Sequence, residues 1–224
     1  MQIKMTESSI VIVAHDVNVS IFKPPWLINN DIIKEDEFSG NIIITPPTIN
    51  IPTEKFAFVV FPNRIQMSIP VLYPEAEDDY KRVLCGIVKK LPHTPYTAVG
   101  INYEYLLSPD DLNTFENWHR KLFSSSFANT ITHKEQHDAR FGCYFSYDLA
   151  DSRLKIDIKP TKAEVGIERL NDAWEREQDL IRINFNFHHD ISNKDNKDEY
   201  ILKIVEKWKD THTVAKQIIE ALSN

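Results

Sequence analysis

The chain has 224 residues, 42% hydrophobic and 26% charged, which suits one large domain or two small ones able to bury a core without staples. A net charge of −7 and a pI near 5.6 oppose nonspecific attachment to nucleic acid or to an anionic membrane. The five glycines are all scattered, which excludes a P-loop or a dinucleotide-binding turn, since both need clustered glycines to bring backbone amides to phosphate.

The first segment, residues 1–54, reads as an N-terminal extension packed at a sheet edge. Ser9 to Ala14 is a short apolar run that predicts a strand and is far too short to span a bilayer. Lys23-Pro24-Pro25-Trp26-Leu27 starts a turn or short helix, because proline suits a first helical position. Asn41 to Thr45 is a further strand candidate, and Pro46, Pro47 and Pro52 keep the following chain extended and break pairing.

Residues 55–123 predict a strand-strand-helix-strand-helix unit. Phe56 to Phe61 and Arg64 to Ile69 form a hairpin about Pro62-Asn63. A helix from Pro74 to about Leu91 places Ala76, Tyr80, Val83, Leu84, Ile87, Val88 and Leu91 on one face. Thr97 to Tyr105 is the third strand. Ser108-Pro109-Asp110-Asp111 opens a second helix with a hydroxyl cap, an early proline and acids at the positive end of the dipole.

Residues 124–138 form a polar linker, and residues 139–224 predict the same order again. Ala139 to Leu149 and Arg153 to Lys159 make the hairpin, Thr161 to Gln178 a helix, and Leu180 to Phe187 the third strand. (A meander strand near Val165 is the alternative to the helix.) A long helix closes the chain over about Asp195 to Leu222. Ile101-Asn102-Tyr103-Glu104-Tyr105 and Ile183-Asn184-Phe185-Asn186-Phe187 share Ile, Asn and two aromatics at the same spacing, and asparagine is depleted in strands. The expected fold is therefore α+β. A mainly antiparallel sheet carries helices on one face, built from two pseudo-twofold-related ββαβα units plus the N-terminal extension.

Alternation then sorts residues onto two faces. Ile65, Met67, Tyr103, Leu154, Ile156 and Phe185 belong against helices. Gln66, Ser68, Asn102, Glu104, Lys155, Asp157, Lys159, Arg182, Asn184, Asn186 and His188 belong on the opposite face. An antiparallel sheet can leave that face wet. Its amides and paired charges make Gln66, Asn102, Glu104, Lys155, Arg182, Asn184, Asn186 and His188 a candidate binding surface. In the terminal helix, Ile201, Trp208, Ala215 and Leu222 recur every seven residues, a stripe that fits either its own sheet or a partner subunit.

Chemistry is thinly marked. His133-Lys134-Glu135-Gln136-His137 sets two histidines one helical turn apart as a weak metal-ligand pair, but lysine stands where a zinc protease needs glutamate. Asp157-Ile158-Lys159 resembles the D-x-K half of the restriction-endonuclease-like nuclease motif. That resemblance implies a Mg²⁺-holding carboxylate and a lysine beside the scissile phosphate. The upstream acid is poorly placed, because Asp148 and Asp151 lie in the same hairpin. Cys85 and Cys143 are isolated and read as small hydrophobes in a reducing compartment. No cleavable leader is evident, so the cytoplasm is the expected location. The composite expectation is a non-enzymatic binding or assembly subunit without a cofactor, joining a protein partner or its own copies. A metal-dependent hydrolase centred on Asp157 and Lys159 is the alternative.

Overall fold

Alternation of apolar and polar residues along most strands produces one continuous antiparallel sheet, of nine strands among the described residues, with the described helices on one face. In the computed structural model the described residues are 2–45, 47–108, 142–162 and 179–223. The strands are β1 (Gln2–Ala14), β2 (Ile43–Thr45), β3 (Thr48–Pro52), β4 (Ala57–Phe61) and β5 (Arg64–Ile69). Then come β6 (Tyr96–Ser108), β7 (Cys143–Asp148), β8 (Arg153–Lys162) and β9 (Asp179–Asp190). Their order across the sheet is β2-β3-β4-β5-β1-β6-β9-β8-β7.

The first strand lies in the middle of the sheet, whereas β2 and β3, the proline-flanked part of residues 1–54, lie at its edge among the described residues. β1 runs for 13 residues and pairs with β5 on one side and β6 on the other. Ile10 and Ile12 are fully buried, and a central slot lets both sides of the strand satisfy its backbone. Among the described residues the edge strands are β2 and β7.

The expected duplication is not confirmed by this order. β5 and β6 both run antiparallel to β1, so they are parallel to each other and separated by it. Their supposed counterparts, β8 and β9, are direct antiparallel neighbours. A hairpin return and a third strand are thus joined differently in the two halves. The expected helix following Ser108, the linker at 124–138 and all of the 161–178 helix beyond Lys162 lie outside the described residues. Thr161 and Lys162 themselves belong to β8.

The helices are α1 (Pro24–Asn29), α2 (Ala76–Tyr80), α3 (Gly86–Lys90), α4 (Lys197–Glu206) and α5 (Trp208–Ser223). A π-helical turn, Lys81–Cys85, joins α2 to α3. Ala76, Tyr80, Val83, Leu84, Ile87 and Val88 are fully buried in the core, as their spacing predicts, while Leu91 at the end of the same face is only partly buried. The terminal helix is broken at Lys207 into α4 and α5. Ile201, Trp208, Ala215 and Ile219 face the chain's own core.

One buried polar knot ties helices to sheet. Ser8, on β1, accepts a 2.8 Å hydrogen bond at Oγ from the Trp208 indole N–H. The Tyr80 hydroxyl donates to the Ser8 carbonyl at 2.7 Å. The Tyr103 hydroxyl bonds the Trp208 carbonyl and lies 2.8 Å from Thr211 Oγ1. These bonds meet the requirement that buried polar groups be paired, and they set where α5 starts on the sheet.

Candidate functional site

The face opposite the helices is organised in cross-strand rows. One row runs Ser68, Ser9, Asn102, Asn186, Lys155, Ser146 across β5, β1, β6, β9, β8 and β7. The next runs Glu7, Glu104, Asn184, Asp157, Tyr144. A third sets Gln66, Val11, Gly100, His188, Arg153 and Asp148 in line. All eight residues of the expected binding surface lie on this face, and each is half-buried.

The middle of the first row is a direct amide pair. Asn186 Nδ2 donates to Asn102 Oδ1 at 2.6 Å. Gly100 makes room for it, because a Cβ there would stand 2.9 Å from Asn186 Nδ2. Asn102 Nδ2 in turn leans toward the Ser9 carbonyl and hydroxyl at 3.4 Å. Gln66 Nε2 donates to Ser68 Oγ at 3.1 Å. Glu104 accepts from Thr6 Oγ1 at 2.8 Å, with Arg182 Nε 3.7 Å from its other oxygen. At one end of the face Leu106 and Leu180 are buried, so the accessible part is centred on the rows from Glu104 to His188. Burial, with Lys155 nearby, lowers the His188 pKa, which favours the neutral ring.

The rows lead to an apolar edge. β7 is the last strand of the sheet among the described residues, so one side of its backbone has no neighbouring strand. Tyr144 is 60% exposed on the polar face, while Phe145 and Tyr147 are 49% and 44% exposed on the other. Alternation in this segment predicts a strand but gives no sign that both of its faces stay exposed. The signal that could have found it is the aromatic content of Tyr144-Phe145-Ser146-Tyr147, which no single buried face accounts for.

The other candidates fare differently. Lys159 Nζ lies 2.9 Å from Asp157 Oδ2, so these two exposed groups neutralise each other. Asp148 pairs with Arg153 and Asp151 with Lys207, so neither joins Asp157 as a second carboxylate. His133 and His137 lie outside the described residues. Among the described residues no group of three or more His, Cys, Asp or Glu side chains is placed to hold a metal. Ile201 and Trp208 cannot meet a partner, because they are 0% and 5% exposed in the chain's own core. Leu222 is half-buried against the same core. Cys85 and Cys143 are free thiols. No described helix is long and apolar enough to cross a membrane.

No protein-family model matches the chain, and a search of the curated proteins finds no significant match.

Proposed function

We propose that the protein is a non-enzymatic binding or assembly subunit that takes a protein partner along the β7 edge and the polar rows beside it. The observation that carries this reading is the continuity of the Asn102–Asn186–Lys155–Ser146 row with an edge strand bearing three exposed aromatics. An edge that no strand among the described residues pairs offers backbone donors and acceptors to an added strand, and aromatics supply much of the contact energy at interfaces. The adjoining amides and charges fix the partner's register without contributing much affinity. The cross-strand pairing of β7 with β8 and of β8 with β9 holds these groups in register, which lowers the entropy lost on association.

The reading is tested by tagged capture from native lysate with wild type and with Tyr144→Lys/Phe145→Lys. A partner enriched by wild type is lost from the double variant, whose melting temperature is unchanged because both rings are exposed. Asn186→Ala weakens capture by a smaller factor. Equal capture by wild type and the double variant would remove the edge from consideration.

A further inference from the structure

A second site lies on the helix-bearing side of the sheet, independent of the edge and its polar rows. Where α5 crosses the ends of β1 and β6, a cleft of about 440 Å³ opens. Its walls are largely apolar, with Met5, Leu72 and Ile219 inside and Ile3 and Val71 at the mouth, 41% and 63% exposed. The volume is in the range of small-ligand sites.

Two residues lining this cleft each carry a buried polar atom that, among the described residues, breaks the rule that buried groups are paired. Tyr105 is 4% exposed, yet among the described residues its hydroxyl has no hydrogen-bond partner. His212 also lines the cleft, and its buried Nε2 has none either. The contrast with Tyr103, two residues earlier on the same face, is informative. Its hydroxyl has both the Trp208 carbonyl and Thr211. An orphaned buried hydroxyl costs stability, so two such atoms in one apolar cleft point to a group that binds between them. The His212 ring is held in place by stacking on Tyr103 at 5.2 Å and on Trp208 at 5.7 Å, so it is already oriented.

We infer that this cleft binds a small carboxylate with an apolar body, its oxygens accepting from the Tyr105 hydroxyl and from His212 Nε2 and its tail covering Met5, Leu72 and Ile219. Lys4 and Lys216 line the cleft against one carboxylate, Glu220, and this balance of charge favours an anion over a neutral head. Lys216 lines the cleft one turn after His212, and it is the charged neighbour that acts on that ring. Burial, with Lys216, lowers the His212 pKa to about 4, so the ring is neutral near pH 7 and keeps one N–H to donate. Glu220, on the next turn, also lines the cleft.

Titration calorimetry of the full chain with decanoate, decanol and decylammonium tests this assignment. Decanoate binds with one-to-one stoichiometry, and both other probes bind at least tenfold more weakly. Tyr105→Phe keeps the shape and removes the orphaned hydroxyl. It leaves the melting temperature of the ligand-free protein unchanged or raised, while decanoate affinity falls about tenfold. Absence of decanoate binding at millimolar concentration overturns the site. So does equal decanoate affinity in Tyr105→Phe. A drop in ligand-free stability of that variant shows the hydroxyl to be structural, and decanol binding as tightly as decanoate overturns the carboxylate.

Discussion

Tyr103 of β6 stands directly opposite Phe185 of β9, and the register on either side sets Asn102 against Asn186 and Glu104 against Asn184. An antiparallel pair has a local two-fold axis. Rotation about the axis at Tyr103 and Phe185 exchanges Ile101 with Ile183, Asn102 with Asn184, and Tyr105 with Phe187. The shared Ile-Asn-aromatic motif is therefore carried by two strands that pair with each other. The same axis takes β1 onto β8 and β5 onto β7, so it does not relate the two hairpins that the sequence suggests as counterparts.

Gly100 and Asn186 are expected to be energetically coupled. Gly100→Ala pushes the Asn186 amide off Asn102, because the new methyl would sit 2.9 Å from Nδ2. The loss is about 1 kcal/mol, the net worth of one hydrogen bond. In an Asn186→Ala background the same change is neutral or stabilising, since alanine suits a strand better than glycine does. A double-mutant cycle by urea denaturation measures the coupling, and additive effects would show that the amide pair contributes nothing.

Ser8 is expected to matter far more than its size suggests. Ser8→Ala leaves the Trp208 indole N–H without its acceptor inside the core. The cost is about 1–3 kcal/mol, because an unsatisfied buried donor loses its full desolvation energy. Ser9→Ala, on the opposite face, costs less, since the Ser9 hydroxyl meets Asn102 only at 3.4 Å. Chemical denaturation of the two variants side by side checks the contrast.

Arg82 organises the N-terminal loops. Its guanidinium donates in a fork to both Glu37 oxygens at 3.0 and 2.6 Å, to Asp79 at 2.6 Å and to the Ile32 carbonyl at 2.6 Å. Burial would raise the Asp79 pKa, but hydrogen bonds from Arg82 and Tyr73 outweigh it and hold the carboxylate low. Arg82→Ala is expected to cost about 2 kcal/mol, between the values for exposed and buried pairs. Arg82→Lys recovers only part of this, because an ammonium cannot span both carboxylates and the carbonyl. Thermal melts of the two variants decide it.

Stability is expected to rise with pH between about 4 and 6.5. Burial lowers the pKa of His189 to about 4 from an ordinary 6.5, with His188 adding to the effect, and His212 is lowered to a similar value. The unfolded chain therefore binds more protons than the native one in that window, and the slope of unfolding free energy against pH is positive there. Each histidine contributes at most about 1.4 kcal/mol per pH unit. Above pH 6.5 their contribution is complete, and it is lost as the pH falls toward 4. Urea midpoints from pH 4 to 8 test the sign, and His189→Gln should flatten the slope by about one histidine's share.

The strands at Arg64–Ile69, the core face of Ala76 to Val88 and the polar face holding Asn102 and Lys155 were legible because alternation and helical spacing are local. The stripe of Ile201 and Trp208 was legible as apolar, but spacing alone could not say whether their own sheet or a partner would cover them. The structure shows that their own sheet covers both. The cleft was not legible, because Met5, Tyr105 and His212 come from three distant segments and none has an unusual neighbour in sequence.

By itself the sequence determined which residues alternate, where helices carry an apolar stripe, and which side chains share a face, since period two and period 3.6 are properties of neighbouring residues. Only the tertiary structure decided that β1 enters the middle of the sheet, that Asn102 meets Asn186 rather than Asn184, and that the hydroxyl of Tyr105 finds no partner among the described residues. Those outcomes depend on which strand lies beside which, and hydrogen-bond pairing between strands far apart in the chain leaves no periodic mark on either of them.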